Sequence, residues 1–253
     1  MSRVLYCGDD RLEGAAAYLA GTMRHFGIPF DYLPSDAPLE RARLLAPSGD
    51  PACTLVVLSD YPSGMISPAA QRTLVDCVAR GTGLLMVGGW GSFRGVNGKY
   101  DATPIGGVLP VAIESADDRM NTAAPCVVVR EREHPVVGSL PFDHPPSIAG
   151  FNRVGSRPES TVVLSVAVFG TTLSLAGDLQ FAERERHPLL VLGQHGAGRT
   201  SAYASDVAPH WAGGLIDWGQ ERLEVGVEPG AVEIGNWYAG FFRNLLLWTM
   251  HAL

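Results

Sequence analysis

The chain is expected to be an α/β protein built on a doubly wound, mostly parallel sheet with helices on both faces and an antiparallel extension or side layer. Three observations lead there. Short apolar runs near residues 3–7, 28–33, 54–58 and 84–87 alternate with segments of helical period. Such alternation reads as strands joined by crossover helices. The third run, Thr54 to Leu58, is continuously apolar, as in a strand covered on both sides. Of 253 residues, 46% are hydrophobic and 18% charged, enough apolar surface for a substantial core and too little charge for a disordered chain.

Each element has its own signal. Arg3 to Cys7 is a short strand ending in Gly8-Asp9-Asp10, and Leu12, Ala15, Ala16, Leu19, Met23 and Phe26 repeat at helical spacing up to Gly27. A strand over Ile28 to Leu33 and a short helix near Leu39 to Leu45 follow. After the third strand and Ser59-Asp60-Tyr61-Pro62, Ser67 N-caps a helix with Pro68 at its first position; that helix runs through Arg80 and stops at Gly81. Leu84 to Val87 is the fourth strand. Beyond it lies a Gly-rich segment, Gly88 to Gly107, with the texture of a functional loop, then a run at Val108 to Glu114 and a β-rich run at Cys126 to Arg130.

His134-Pro135 to Leu140-Pro141 is expected to form a short helix. Ser160 to Gly177 is uncharged, but Ser165, Gly170, Thr171, Thr172 and Ser174 break it, so two strands and a turn are expected there rather than a membrane span. Leu189 to Gly193 and Thr200 to Ser205 form a hairpin with a Gly-rich turn. A helix from about Trp237 to Leu253 closes the chain. No linker or internal repeat is evident, so a single domain over 1–253 is expected.

A net charge of -7 and scattered basic residues argue against nucleic acid as a partner. The alternating Glu183-Arg184-Glu185-Arg186 and Arg130-Glu131-Arg132-Glu133 read as solvated strand or helix ends. The apolar stretch after Met1 is too short for a signal sequence, so a cytoplasmic protein without a membrane partner is expected. No histidine or cysteine spacing typical of a metal site occurs, and no P-loop or dinucleotide fingerprint follows a predicted strand, so neither metal nor cofactor is expected. The cysteines at 7, 53, 77 and 126 read as buried thiols, with Cys7, near the carboxyl end of the first strand, the one candidate for chemistry.

Open α/β sheets bind ligands at the carboxyl ends of their strands, which brings Asp9, Asp10, Asp60 and the Gly88 to Gly98 loop to one rim. A small-molecule ligand is expected there. Asp9 and Asp10 are hydrogen-bond acceptors for ligand hydroxyls or helix caps; Asp60 is a ligand carboxylate or a turn former. Trp90, beside Gly91 and Ser92, is a stacking platform or a plug, and the surrounding glycines favour the platform. Ser92 is an anion contact or an N-cap. Asp118, Arg119 and Asn121 form a polar loop cluster in which Arg119 either binds a carboxylate or ties the loop down. His210, with Asp206 four residues earlier, reads as an imidazole oriented by a carboxylate, a general base or a structural histidine.

Val4 to Asp10, Gly88 to Gly98, Thr103-Pro104-Ile105 leading to Val108-Leu109-Pro110, Asp117 to Asn121, Gly150-Phe151-Asn152, and Ser205-Asp206 with Pro209-His210-Trp211 together resemble the GATase1-like glutamine amidotransferase family over essentially the whole chain. The resemblance implies a flavodoxin-like class I amidotransferase fold. It also places Trp90 where that class carries its catalytic cysteine, and His210 where it carries its histidine, while Ala212 stands in place of a glutamate. Glutamine hydrolysis in that class needs a thiolate that forms a glutamyl thioester. Indole cannot do this, so the expectation is a ligand-binding or homo-oligomeric assembly module without glutaminase activity. The alternative is a hydrolase or transferase of different mechanism that uses His210 and the rim acids.

Overall fold

The computed structural model describes residues 3–9, 11–227 and 230–253, with Pro125 described by its backbone alone. The early α/β alternation is present as β1 (Val4–Gly8), α1 (Ala16–His25), β2 (Phe30–Leu33), α2 (Arg41–Leu44), β3 (Leu55–Ser59), α3 (Pro68–Ala79) and β4 (Gly83–Val87). Every residue of β1, β3 and β4 is buried, which is why these runs are apolar without alternation. Ser67 caps α3 as its sequence predicts, its hydroxyl accepting from the Ala70 N–H at 3.2 Å.

After β4 come α4 (Pro104–Val108), β5 (Val111–Ile113), β6 (Arg119–Arg130), β7 (Ser147–Asn152), β8 (Val154–Ser156), β9 (Thr161–Leu173), β10 (Leu179–His195) and β11 (Gly198–Tyr203). The chain then forms α5 (Pro209–Ala212), the hairpin β12 (Arg222–Val227) and β13 (Gly230–Gly235), and α6 (Asn236–Thr249). The nine-stranded sheet has the order β2-β1-β3-β4-β11-β10-β9-β6-β7. From β2 to β11 neighbours run parallel; from β11 to β7 they run antiparallel. The expected antiparallel extension thus continues the main sheet. Helices α1 and α6 touch each other, while α2, α3 and α4 form a separate chain of contacts. On α6, Phe241 and Phe242 meet the ring of Tyr203 at 5.5 and 5.4 Å.

Three expectations are corrected, and one element was not foreseen. Residues 135–139 form turns rather than a helix: bonds from Val137 and Gly138 to the His134 carbonyl close one turn, and Pro135 and Pro141 bracket a segment too short to propagate. The uncharged stretch 160–177 contains one continuous strand, β9, that enters a turn at Ser174; serine and threonine sit well in a pleated strand whose far end is exposed. Arg119 and Asn121 belong to β6 and not to a loop. Finally, the β12/β13 hairpin was not foreseen, although Leu223, Val225 and Val227 alternate with polar residues and glycine ahead of Val232 and Ile234.

Candidate functional site

The rim at the carboxyl ends of the parallel strands is assembled from backbone that ordinary residues avoid. Asp9 after β1, Asp60 after β3 and Phe93 in the loop after β4 have φ of 46°, 46° and 45°. This left-handed region is uncommon without glycine, and aspartate tolerates it better than most residues. Asp9 is buried, and its Oδ2 accepts from the Tyr6 hydroxyl at 3.1 Å while its carbonyl accepts from Tyr32 at 2.9 Å. Asp10 lies outside the described residues.

Asp60 reaches across to the next strand's turn. Its Oδ1 accepts from the Gly91 N–H at 2.6 Å, and its own N–H donates to the Ser92 hydroxyl at 3.1 Å. A Cβ at Gly89 would lie 2.2 Å from Asp60 Oδ1, and one at Gly88 would lie 2.5 Å from the Ala204 carbonyl oxygen. Close approach of Asp60 and of the end of β11 therefore accounts for these glycines, so they say nothing about the role of Trp90. Exposure does: Trp90 is 49% exposed, and so it does not plug a vacated pocket. Ser92 is buried and engaged by Asp60; no helix begins there for it to cap, since residues 88–103 form an irregular loop that folds back through Val96 and Asn97 N–H bonds to the Trp90 carbonyl.

That loop is clamped by Asn152 and Asp118. Asn152 accepts from the Gly89 N–H at 2.8 Å and donates to the Gly89 carbonyl at 3.2 Å and to Asp118 Oδ1 at 2.8 Å. Asp118 in turn accepts from the Arg94 and Gly95 N–H groups, each at 2.9 Å. Burial raises the Asp118 carboxyl, and these hydrogen bonds oppose the rise. Arg119 ties down its own neighbourhood by a two-toothed contact to Asp117 at 2.9 and 2.7 Å, and its guanidinium lies over the Trp90 ring at 4.5 Å. Asn121, expected at a ligand, accepts from the buried Trp211 indole N–H at 2.6 Å. It anchors α5 instead.

On α5, His210 is exposed and meets Trp90 edge to face, ring centres 6.4 Å apart. Asp206 does not orient it as expected: Asp206 Oδ1 accepts from Val207 and Ala208 N–H at 2.6 and 3.2 Å, which turns the carboxylate back onto its own chain. Burial first, then the charge of Asp60, pushes the Asp206 carboxyl up to about 7, although those two N–H bonds pull the other way.

Cys7 lies elsewhere. Adjacent strand residues face opposite sides of a sheet. Tyr6 feels Asp9 and Asp206, whereas the electrostatic neighbours of Cys7 are Cys53 and Arg43 on the α2 side. The Cys7 side chain is fully buried and burial pushes its thiol up, away from thiolate chemistry. Cys53, Cys77 and Cys126 are buried too. Among the described residues no cluster of three or more histidines, cysteines or acids is placed to hold a metal. Sequence reasoning gave Tyr6 and Asn152 no role of their own, although both lie in segments, Val4 to Asp10 and Gly150-Phe151-Asn152, that carry the family resemblance.

Several solved structures share this architecture. The cytoplasmic protein STM1381 of Salmonella typhimurium LT2 is 25% identical with a TM-score of 0.74, the match covering 98% of this chain and 99% of that one. The cytoplasmic protein STM3548 of Salmonella typhimurium is 23% identical with a TM-score of 0.69 over 97% and 98% of the two chains. A ThuA-like protein of Parabacteroides merdae is 12% identical with a TM-score of 0.60 over 98% and 90%. No curated protein matches the chain. Residues 49–224 match the GATase1-like family, described as "putative glutamine amidotransferase". The chain belongs to that family, on an α/β fold with a nine-stranded mixed sheet.

Proposed function

We propose that this member of the family binds a small molecule at the rim and does not hydrolyse glutamine. The observation that carries the reading is Trp90 at the top of the turn after β4, half exposed, with Arg119 over its ring and His210 at its edge. An indole held this way offers a rigid apolar surface to a sugar or planar ring, with a cation and an imidazole at hand for polar groups. The amidotransferase alternative lacks its parts: Trp90 occupies the position that carries the nucleophile in that class, and all four cysteines are buried. The Gly91 N–H, which would face a developing oxyanion, is already bonded to Asp60. A cytoplasmic setting is supported by the two Salmonella proteins of similar fold, both named as cytoplasmic.

Thermal-shift screening of a metabolite library tests the reading. The expected result is a ligand that stabilises the wild type and loses its effect in Trp90→Ala, alongside no ammonia release from glutamine. Thiol-dependent ammonia release, or ligand shifts indifferent to Trp90, would overturn it. One observation favours a second reading, acid–base hydrolysis: Asp206 and Asp60 are neighbouring carboxylates, and Asp206 is pushed up to about 7. Under that reading a panel of amides, esters and glycosides would reveal a turnover lost in both His210→Ala and Asp206→Asn.

A further inference from the structure

The two strands β9 and β10 run on together well past the sheet. Pairing of β9 with β6 covers Leu164 to Val168, and pairing of β10 with β11 covers Leu190 to His195. Beyond those limits β9 and β10 continue as a two-stranded ribbon to the turn at Ser174–Asp178. Cross-strand partners share a face, so Leu173 and Leu179, and Thr171 and Phe181, stand on the same side. Leu173, Leu179 and Phe181 are 69%, 61% and 56% exposed, and Leu175 at the tip is fully exposed.

An isolated two-stranded ribbon is marginal in water and gains stability from a third strand or a covered apolar face. Those four side chains present on the order of 500 Å² of apolar surface, a large patch for a monomer and a sizeable part of the roughly 800 Å² per partner of an ordinary interface. The outer edge of β10 from Leu179 to Leu189 has no strand partner among the described residues. Leu179-Gln180-Phe181-Ala182 on that edge carries neither the charge nor the proline that usually blunts an exposed strand.

The charges identify the partner. At the base of the ribbon Arg186 pairs with Glu183 and Glu131, and Glu185 with His187. Asp178 and Arg184 have no ion-pair partner among the described residues. Asp178 ends the turn just before β10 and Arg184 sits at the irregularity between Glu183 and Glu185, three residues before and three after Phe181 and out of each other's reach within one chain. Antiparallel pairing of β10 with β10 of a second copy, about a two-fold axis at Phe181, sets Asp178 of each copy opposite Arg184 of the other. It also joins the two apolar faces into one. A two-fold contact requires such a self-complementary edge.

We propose that two copies of this chain associate through this ribbon, β10 against β10, with Phe181 on the axis and Asp178 facing Arg184 across it. The proposal does not depend on the ligand at the rim. Sedimentation velocity on the full chain is expected to show a dimer at micromolar concentration. Phe181→Asp, Asp178→Arg and Arg184→Glu should each raise the dissociation constant at least about tenfold. The double reversal, Asp178→Arg with Arg184→Glu, should restore the dimer. Because the native cysteines are buried, Phe181→Cys supplies the one accessible thiol and should give a covalent dimer on mild oxidation. Circular dichroism should remain unchanged in every variant. A monomeric wild type, a dimer that survives Phe181→Asp, or single reversals that the double variant does not rescue would each overturn the proposal.

Discussion

Asp206 is the residue whose ionisation the fold resists most informatively. Its carboxyl is pushed up to about 7 by burial and by Asp60, so the native state holds a proton there that the unfolded chain releases near pH 4. Between those values the folded protein binds more protons than the unfolded one, and stability contributed by Asp206 falls as pH rises. Below about pH 4 and above about pH 7 this contribution is flat. The span corresponds to on the order of 4 kcal/mol. Asp206→Asn keeps an acceptor for the Val207 and Ala208 amides and removes the titration. Melting temperatures from pH 4 to 8 are expected to show the wild type losing stability relative to the variant as pH rises; parallel curves would mean that Asp206 ionises freely. At this scale the sequence revealed Asp9, Asp60 and Trp90, because a residue just beyond a parallel strand must lie at the carboxyl rim. It marked Gly150-Phe151-Asn152 only as part of the resemblance and not the role of Asn152, whose bonds to Gly89 and Asp118 join positions far apart in the chain.

Among the elements, α5 shows how a side chain assigned to ligand binding becomes a fixture. This helix is only four residues long, and it is held by the buried Trp211, whose indole N–H reaches Asn121 on β6 and whose ring packs against Gly150 on β7. Asn121→Ala removes the acceptor of that N–H from the exposed end of the contact, at a cost of about 0.5–1.5 kcal/mol. Denaturant unfolding should show the loss, and altered tryptophan fluorescence would report the loosened contact; an unchanged midpoint would mean that α5 is held by other means. The elements that were legible are those whose period and punctuation agree: β1 to β4 with their helices, the β10/β11 hairpin and α6. Those that were not follow a different logic. The turn at 135–139 looks helical until its length is weighed against Pro135 and Pro141. β12 and β13 show the alternation of a strand pair, but it is brief and interrupted by glycine, and their packing against α1 is a tertiary contact.

For the whole molecule, the sheet acts as a partition. Tyr6, Tyr203 and Asp206 belong to the side covered by α1 and α6, whereas Cys7 belongs to the side of α2 and α3. Cys7 and the rim carboxylate Asp9 are two residues apart, yet the left-handed backbone at Asp9 turns its side chain to Tyr6 on the other side of the sheet. Fold class was readable because apolar runs in the first third of the chain can be satisfied in few ways. The reach of β9 and β10 beyond the sheet was not readable, because an exposed ribbon obeys no burial pattern.

The bond from Gly91 to Asp60 bears on whether a nucleophile placed at residue 90 could work. Placing sulfur at residue 90 would supply an attacking atom, yet the Gly91 N–H that a developing oxyanion would need is already held by the Asp60 carboxyl. Trp90→Cys should therefore release no ammonia from glutamine, as an enzyme-coupled assay of that product would read. Adding Asp60→Gly would clear the seat and suit the left-handed backbone there. Glutaminase chemistry at this turn would need both substitutions, and the first alone would not confer it.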